Sequence, residues 1–480
     1  MVIIPALGVF AWFRYDAWAW ERRLHELQVS GQLPTWGSMI PAAVPDADNF
    51  AMIPQLAPLR AFVSLPRREH EKQEKSGEEL PLFTPITKFG QIAAANFQAN
   101  YAKGTPLDFA SLHSALAIAG LVKPNLEPSA AILDAVEPHR SFLGEIAQGA
   151  RRSSSRLPIN YDNGSEIGVI SYSAFRNLAL TFAVRAAALR RAGRPDEAAA
   201  DVVTLLRIGR ALKVEVIPDG VMLGMTFDDW AINSIWDGLV QHHWTAPNLD
   251  EFRTVIGEAE TVSSLRRMFT MDALVHIRTT ESYLRRENPT WGAWEDMDLA
   301  ALEKREPFWG PRFAYPYLWR QSLPLLADGI VGLRDCLRIK NGMFDVKAYA
   351  RWRTKFEQRR GKVPHSFVGY SFFDPEIIRS PLVRSLSVTT ALRFARLACR
   401  LEKEYLLMGR YPQKLSDQDP EAIDVMSGDS LWYTVAKDGQ AYRLASVGWD
   451  ELESSWDKNK NPPAWIHQWS WTFPNFQGVE

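Results

Sequence analysis

The chain has 480 residues, 46% of them apolar and 23% charged, a composition that can bury a sizeable core across several domains. Its 55 basic and 56 acidic residues leave a formal net charge of −1, so no basic excess exists to neutralise a phosphate backbone, and nucleic acid is not expected as a partner. The two cysteines, Cys336 and Cys399, have no CxxC or Cys/His neighbour, which excludes a thiolate zinc site and any disulfide framework beyond a single bridge.

Val2 to Phe13 is an apolar run followed by Arg14, Asp16, Trp18 and Trp20. It is shorter than the ~20 residues that a bilayer core requires. No basic segment precedes it and no small-residue cleavage site follows, so it does not read as a signal peptide. We read it as the tail of a membrane anchor that begins upstream, with residues 2–20 touching the membrane and the tryptophans at headgroup level. Trp20, Leu24 and Leu27 continue a helix to about Val29, ended by Ser30-Gly31. This defines a first segment, 1–29.

Pro34, Pro41 and Pro45 then mark an extended linker, 30–87. Within it Asp46 or Asp48 is suited to cap a short helix, which Pro54 and Pro58 would kink. The run Glu69 to Glu79 has no apolar residue and reads as a solvated loop.

Helical signal dominates 88–340. On the first helix of the pair 174–212, Phe175, Leu178, Phe182 and Leu189 share a face. Gly193-Arg194-Pro195-Asp196 breaks it, and Val202, Leu205, Leu206 and Ile208 form the second stripe. The phrase Ala192 to Ala198 resembles the connection inside a tetratricopeptide repeat, although no second copy follows at the ~34-residue period. Further helices are expected near 219–242, 248–286 and 312–338. A basic linker, 341–388, carries Arg351, Arg353, Lys355, Arg359, Arg360 and Lys362, which read as a solvated helix face or loop, or else as a contact with anionic lipid.

The last segment is 389–480. Phe394, Leu397, Leu401, Tyr405 and Met408 recur at helical spacing, while Arg393, Arg396 and Arg400 line another face, expected to be exposed. Gly409 and Pro412 stop the helix. Leu431 to Val435 and Tyr442 to Val447 read as strands joined at Lys437-Asp438-Gly439, before Ser446-Val447-Gly448. That order of parts resembles the C-terminal half of a type II secretion major pseudopilin. No prepilin-like Gly-Phe-Thr-Leu-Ile-Glu start precedes it, so the likeness is to a module and not to a pilin. The resemblance would place calcium in the loop that here carries Asp450, Glu451, Glu453 and Asp457, but the paired aspartates and glycines are missing. Taken whole, the chain resembles uncharacterised bacterial helical envelope-type proteins through Trp20 to Leu24, Val44 to Asn49, Ala192 to Ala198, Gly409 to Pro412 and the Trp-rich tail (Trp465, Trp469, Trp471). That resemblance implies a membrane-associated or periplasmic location.

The expected fold is mainly α: an irregular layered α-helical domain with a small C-terminal helix plus β-hairpin module. No Walker loop, GxSxG elbow, HExxH helix or GxGxxG fingerprint is present. Asp272 and His276, one helical turn apart, lack a third metal ligand to which Glu260 or Glu281 could be assigned. His242-His243 reads as meeting the carbonyl end of a helix. No residue is therefore given a catalytic, cofactor or metal role, and no cofactor is expected. The favoured function is a non-catalytic cell-envelope protein making protein–protein contacts. The alternative is a glycan-acting hydrolase with Asp228, Asp229 or Glu258 as acid and base and tryptophans, such as the pair Trp291 and Trp294, as sugar platforms.

Overall fold

The protein, in a computed structural model, is described over residues 3–63, 84–100, 107–161, 172–257, 261–285, 314–340, 343–360, 375–415, 420–448 and 470–473. It is mostly helical, with a small antiparallel sheet near the C-terminus. The helices are α1 (Ile3–Val29), α2 (Trp36–Met39), α3 (Ala57–Val63), α4 (Thr84–Asn100), α5 (Phe109–Ile118), α6 (Pro128–Val136), α7 (Arg140–Gly149), α8 (Tyr172–Arg191) and α9 (Pro195–Val214). They continue with α10 (Pro218–Val240), α11 (Ala246–Gly257), α12 (Thr261–Arg285), α13 (Ala314–Cys336), α14 (Val346–Arg360) and α15 (Pro375–Met408). The expected 248–286 element is thus described as two helices, α11 and α12.

The pair α8–α9 forms as its pattern implies. Phe175, Leu178, Phe182 and Leu189 on α8, and Val202, Leu205, Leu206 and Ile208 on α9, are all buried. Pro195 opens α9 with Asp196 and Glu197 in its first turn, and Arg190 and Arg191 close α8, so both ends suit the helix dipole. α4 and α6 pack on α8, α10 on both members of the pair, and α15 on α10, α11 and α12. One cluster of buried apolar side chains runs continuously from Trp20 to Phe473.

Several segments read as linkers are part of that cluster. In 30–87, Leu33, Phe50, Ile53, Leu56 and Leu59 are buried, and the cap is Asn49, not Asp46 or Asp48. Its Oδ1 accepts from the backbone N–H of Ala51 (3.0 Å) and of Arg156 (2.8 Å), tying the Pro-rich stretch to the chain after α7. The run Glu69 to Glu79 lies outside the described residues. In 341–388, α14 hides Tyr349, Trp352 and Phe356 against α13, and Trp352 Nε1 donates to the Gly329 carbonyl at 2.9 Å. Two of its arginines do occupy the outer face: Arg351 is largely exposed, and the half-exposed Arg359 meets Asp328 at 3.1 Å. α15 starts at Pro375, ahead of the expected boundary at 389, and buries Ile378, Leu382 and Leu386 before reaching Phe394.

Trp20 also departs from expectation. It is buried, and its Nε1 donates to Glu281 at 2.8 Å, whereas Trp18 and Tyr15 are exposed. α1 is therefore docked at its C-terminal half, where Arg23 pairs with Asp328. Among the described residues no helix is long and apolar enough to cross a membrane.

The hairpin forms from β3 (Trp432–Val435) and β4 (Tyr442–Ala445), pairing Trp432 with Ala445 and Val435 with Tyr442. Gly439 takes φ +71 in the turn, a region that costs an L side chain about 1–2 kcal/mol. The tail adds β5 (Ser470–Thr472) beside β4, so the hairpin becomes a three-stranded sheet (β1, Ile339–Lys340, and β2, Met343–Phe344, form a separate pair). Trp471 is fully buried, edge-on to Trp236 of α10 at 4.7 Å, which serves packing, as large rings most often do. Trp465, Trp469, Trp291 and Trp294 lie outside the described residues.

Phe394 and Leu401 are fully buried, Tyr405 half-buried and Met408 exposed. Phe394→Ala is expected to destabilise by about 3 kcal/mol through lost burial and a residual cavity. Arg396 is not on a free face: its Nη2 lies 2.9 Å from Glu421, which Arg253 also meets at 3.1 Å. Because Arg253 remains to balance Glu421, Arg396→Ala should cost only about 1 kcal/mol. Denaturant midpoints of the two variants measure the contrast, and equal losses would refute this packing.

Candidate functional site: an arginine-lined cleft

A cleft of about 590 Å³ opens where four parts of the chain meet. The end of α11 supplies Ile256 and Gly257, and the first turns of α12 supply Thr261, Val262, Ser263 and Arg266. Leu337, Arg338 and Ile339 follow α13, and α15 contributes Thr389, Leu392, Arg393 and Arg396. Four guanidinium groups therefore share one space, and among the described residues no carboxylate, imidazole or thiol lines it. Gly257 matters by its small size: a Cβ there would sit 3.3 Å from Arg396 Nη1, so a side chain would crowd the guanidinium.

The nearest counter-charges are already engaged. Glu421 faces Arg396 and Arg253, and Asp335 holds Arg338 at 3.2 Å. Asp424 is buried and occupied by its own loop and by the segment after the strand Tyr442–Ala445, accepting from Met426 N (2.9 Å), Ser446 Oγ (2.8 Å) and Val447 N (2.9 Å). Arg393 Nη1 donates to the Ile423 carbonyl at 2.8 Å. Burial lowers the Arg266 pKa from its ordinary value, and Arg338 lowers it further; burial likewise lowers Arg393, with Arg396 adding to the effect. Both shifts have the cause expected where positive charge is partly desolvated and crowded. The hydroxyl of Thr261, a residue 3% exposed, has no hydrogen-bond partner among the described residues. A buried unpaired donor beside crowded cations is the arrangement that an incoming anion satisfies.

The residues singled out from sequence fall elsewhere. Asp228 is buried against Lys213, whose Nζ donates to its Oδ2, and so cannot serve as an acid or base for a glycan. Asp229 pairs with Arg384 at 3.3 Å, and Trp230 is buried. Glu258 and Glu260 lie outside the described residues, as do Asp450, Glu451, Glu453 and Asp457. Asp272 and His276 approach to 3.7 Å, Glu281 is engaged by Trp20, and no group of three metal-ligating side chains occurs among the described residues.

His243 and His242 meet the carbonyl end of α10 with their backbone N–H groups, which donate to the Gly238 (2.9 Å) and Leu239 (3.0 Å) carbonyls, while the His242 side chain goes elsewhere. With φ +53, His242 turns its ring to Glu402 of α15, Nδ1 lying 2.7 Å from Oε1. Tyr411 donates to the other oxygen at 2.6 Å, and Tyr405 stacks on the imidazole at 4.3 Å. This chain of contacts joins α10, α15 and the turn after Gly409, with the buried carboxylate satisfied on both sides.

Another buried carboxylate carries a pH prediction. Glu215 accepts from Leu157 N and from the Tyr161 hydroxyl (3.1 Å), yet burial pushes its pKa from 4.5 up to about 7. The folded state then binds more protons than the unfolded state between those values. Stability should therefore fall as pH rises from about 4.5 to about 7 and level off above, by on the order of 2–3 kcal/mol. Glu215→Gln should flatten that part of the profile, as read by urea midpoints at pH 5 and pH 8. Identical pH slopes in the two proteins would refute the assignment.

Sequence reasoning found the stripe Arg393, Arg396 and Arg400 but assigned it to solvent. Nothing in the local pattern joins it to Arg266 and Arg338, which are remote in the chain. No protein-family model, no curated protein and no solved structure matches the chain.

Proposed function

We propose that this protein is a non-catalytic component of the cell envelope that works by protein–protein contact, and that the arginine-lined cleft is where it holds an anionic group. The observation that carries the reading is the chemistry of the lining: guanidinium and hydroxyl groups with, among the described residues, no carboxylate, imidazole or thiol to act as acid or base or to activate a hydroxyl as nucleophile. Such a surface binds and orients but offers nothing to move a proton or form a covalent intermediate. An envelope position is supported by the apolar start of α1 and by the exposed rings of Tyr15 and Trp18, followed by Arg22. The likeness to a pseudopilin module is supported by α15, the Gly409 cap at φ +68 and the β3–β4 hairpin; the likeness to a tetratricopeptide-type connection is supported by the α8–α9 pair.

Thermal unfolding of the whole protein in a panel of oxyanions at constant ionic strength tests the binding reading. Stabilisation above the chloride baseline, lost in Arg393→Ala, is the expected result. If no oxyanion exceeds chloride, or if the protein turns over the ligand it binds, the reading falls. Purely soluble fractionation with no co-purifying partner would count against the envelope placement.

A further inference from the structure

We propose that the cleft takes a phosphate monoester carrying an apolar organic body, the phosphate held by Arg266, Arg393 and Arg396 with the Thr261 hydroxyl as an added donor. The proposal rests on the anion-binding reading and deepens it by naming the group.

Charge comes first. The Arg266 guanidinium makes no hydrogen bond or ion pair among the described residues, and the opposing charge it feels, Asp335, is already paired with Arg338. Counting Arg253 beside Glu421, five guanidiniums face three nearby carboxylates among the described residues (Asp335, Glu421 and Asp424), and that surplus favours a ligand with more than one negative charge. A phosphate monoester carries about −1.5 to −2 near neutral pH and presents three acceptor oxygens.

Geometry separates phosphate from carboxylate. A carboxylate offers two coplanar oxygens, well matched to the fork of a single guanidinium. Here the cations come from different walls: Arg266 from α12, Arg393 and Arg396 from α15, and Arg338 from the segment after α13. A tetrahedral group can accept from several such directions at once. The Thr261 hydroxyl, buried and without a partner, supplies one more donor to that set.

Size then implies a body beyond the phosphate. About 590 Å³ falls within the ~300–1,000 Å³ typical of small-molecule sites, well beyond what one phosphate fills. The rest of the lining is mostly apolar, with Ile256, Val262, Leu337, Ile339 and Leu392 beside Ser263 and Thr389. Phosphate at one end and an apolar portion at the other is the chemistry both of a soluble aryl or alkyl phosphate and of a phosphatidic-acid headgroup with its glycerol and first methylenes.

Calorimetry on the full chain at pH 7.5 and constant ionic strength tests this with four probes: inorganic phosphate, phenyl phosphate, benzoate and dihexanoyl phosphatidic acid. Phenyl phosphate is expected to bind about tenfold more tightly than either inorganic phosphate or benzoate, each tenfold being about 1.4 kcal/mol. Its affinity should fall between pH 7.5 and pH 5.5, because the second phosphate ionisation lies near ~6. Arg266→Gln should weaken it about tenfold or more while leaving the unliganded melting temperature unchanged or raised. That second readout distinguishes a lost ligand contact from a damaged fold. Tighter binding of the short-chain lipid than of phenyl phosphate identifies a lipid source, and the reverse identifies a soluble one. Benzoate equal to phenyl phosphate, or Arg266→Gln without effect, overturns the phosphate assignment while leaving anion binding intact. No probe above the chloride baseline removes both.

Discussion

Replacing Lys213 by methionine is expected to destabilise the protein by about 4–5 kcal/mol, because it strands a carboxylate in the core. Lys213 and Asp228 have side chains only 3% and 1% exposed, and they face each other between α9 and α10. The helices can approach this closely because Gly224 presents no side chain: a Cβ there would lie 2.6 Å from both the Gly209 carbonyl and Lys213 Cγ. Asp228 Oδ1 has no hydrogen-bond partner among the described residues, so the ammonium is the main compensation for its charge. Burial raises the Asp228 pKa and Lys213 opposes that rise. Without the lysine the carboxyl must fold protonated, so the deficit should shrink as pH falls toward the ordinary aspartate value of 3.8 and close below it, where the unfolded chain is protonated as well. The double variant Lys213→Met/Asp228→Leu should recover most of the loss, since apolar replacement of a whole buried pair is often neutral or stabilising. Urea midpoints of the three proteins give the answer; a double variant as unstable as the single would show that the pair is not the cause.

Trp471→Ala should cost about 4 kcal/mol, within the range for truncating a buried aromatic. Its ring is sealed against Trp236 of α10, and Phe473 contacts the same tryptophan at 5.2 Å. Because Trp471 sits on β5, which pairs with β4, its loss should loosen the sheet from the helical body as well as open a cavity. Hydrogen exchange at Tyr442 to Ala445 should then accelerate ahead of global unfolding. Unchanged protection there, with a melting temperature close to that of the unaltered protein, would mean that the tail strand does not anchor the sheet.

Local signals fared unevenly in the remaining segments. The α8–α9 pair was legible because its stripes, its glycine break and its Pro195 start all agree. α14 was not, although Tyr349, Trp352 and Phe356 stand at helical spacing; the surrounding arginines dominated the composition and hid the narrow apolar face. Trp20 was misread because the rings of Trp18 and Trp20 look alike in sequence, and only the docking of α1 on α13 separates an exposed ring from a buried one. Asp228 and Asp229 were indistinguishable for the same reason. Neighbours on a helix point about 100° apart, and which of them faces Lys213 depends on how α10 crosses α9.

The sequence by itself determined the mainly helical class, the α8–α9 connection, the stop at Gly409 and the turn at Gly439, because periodicity and backbone permissiveness act within a few residues. Tertiary structure alone decided the third strand, the Lys213–Asp228 pair and the arginine-lined cleft. Each brings together side chains that are distant in the chain, and their charges acquire chemical meaning only where packing removes water and sets them beside one another.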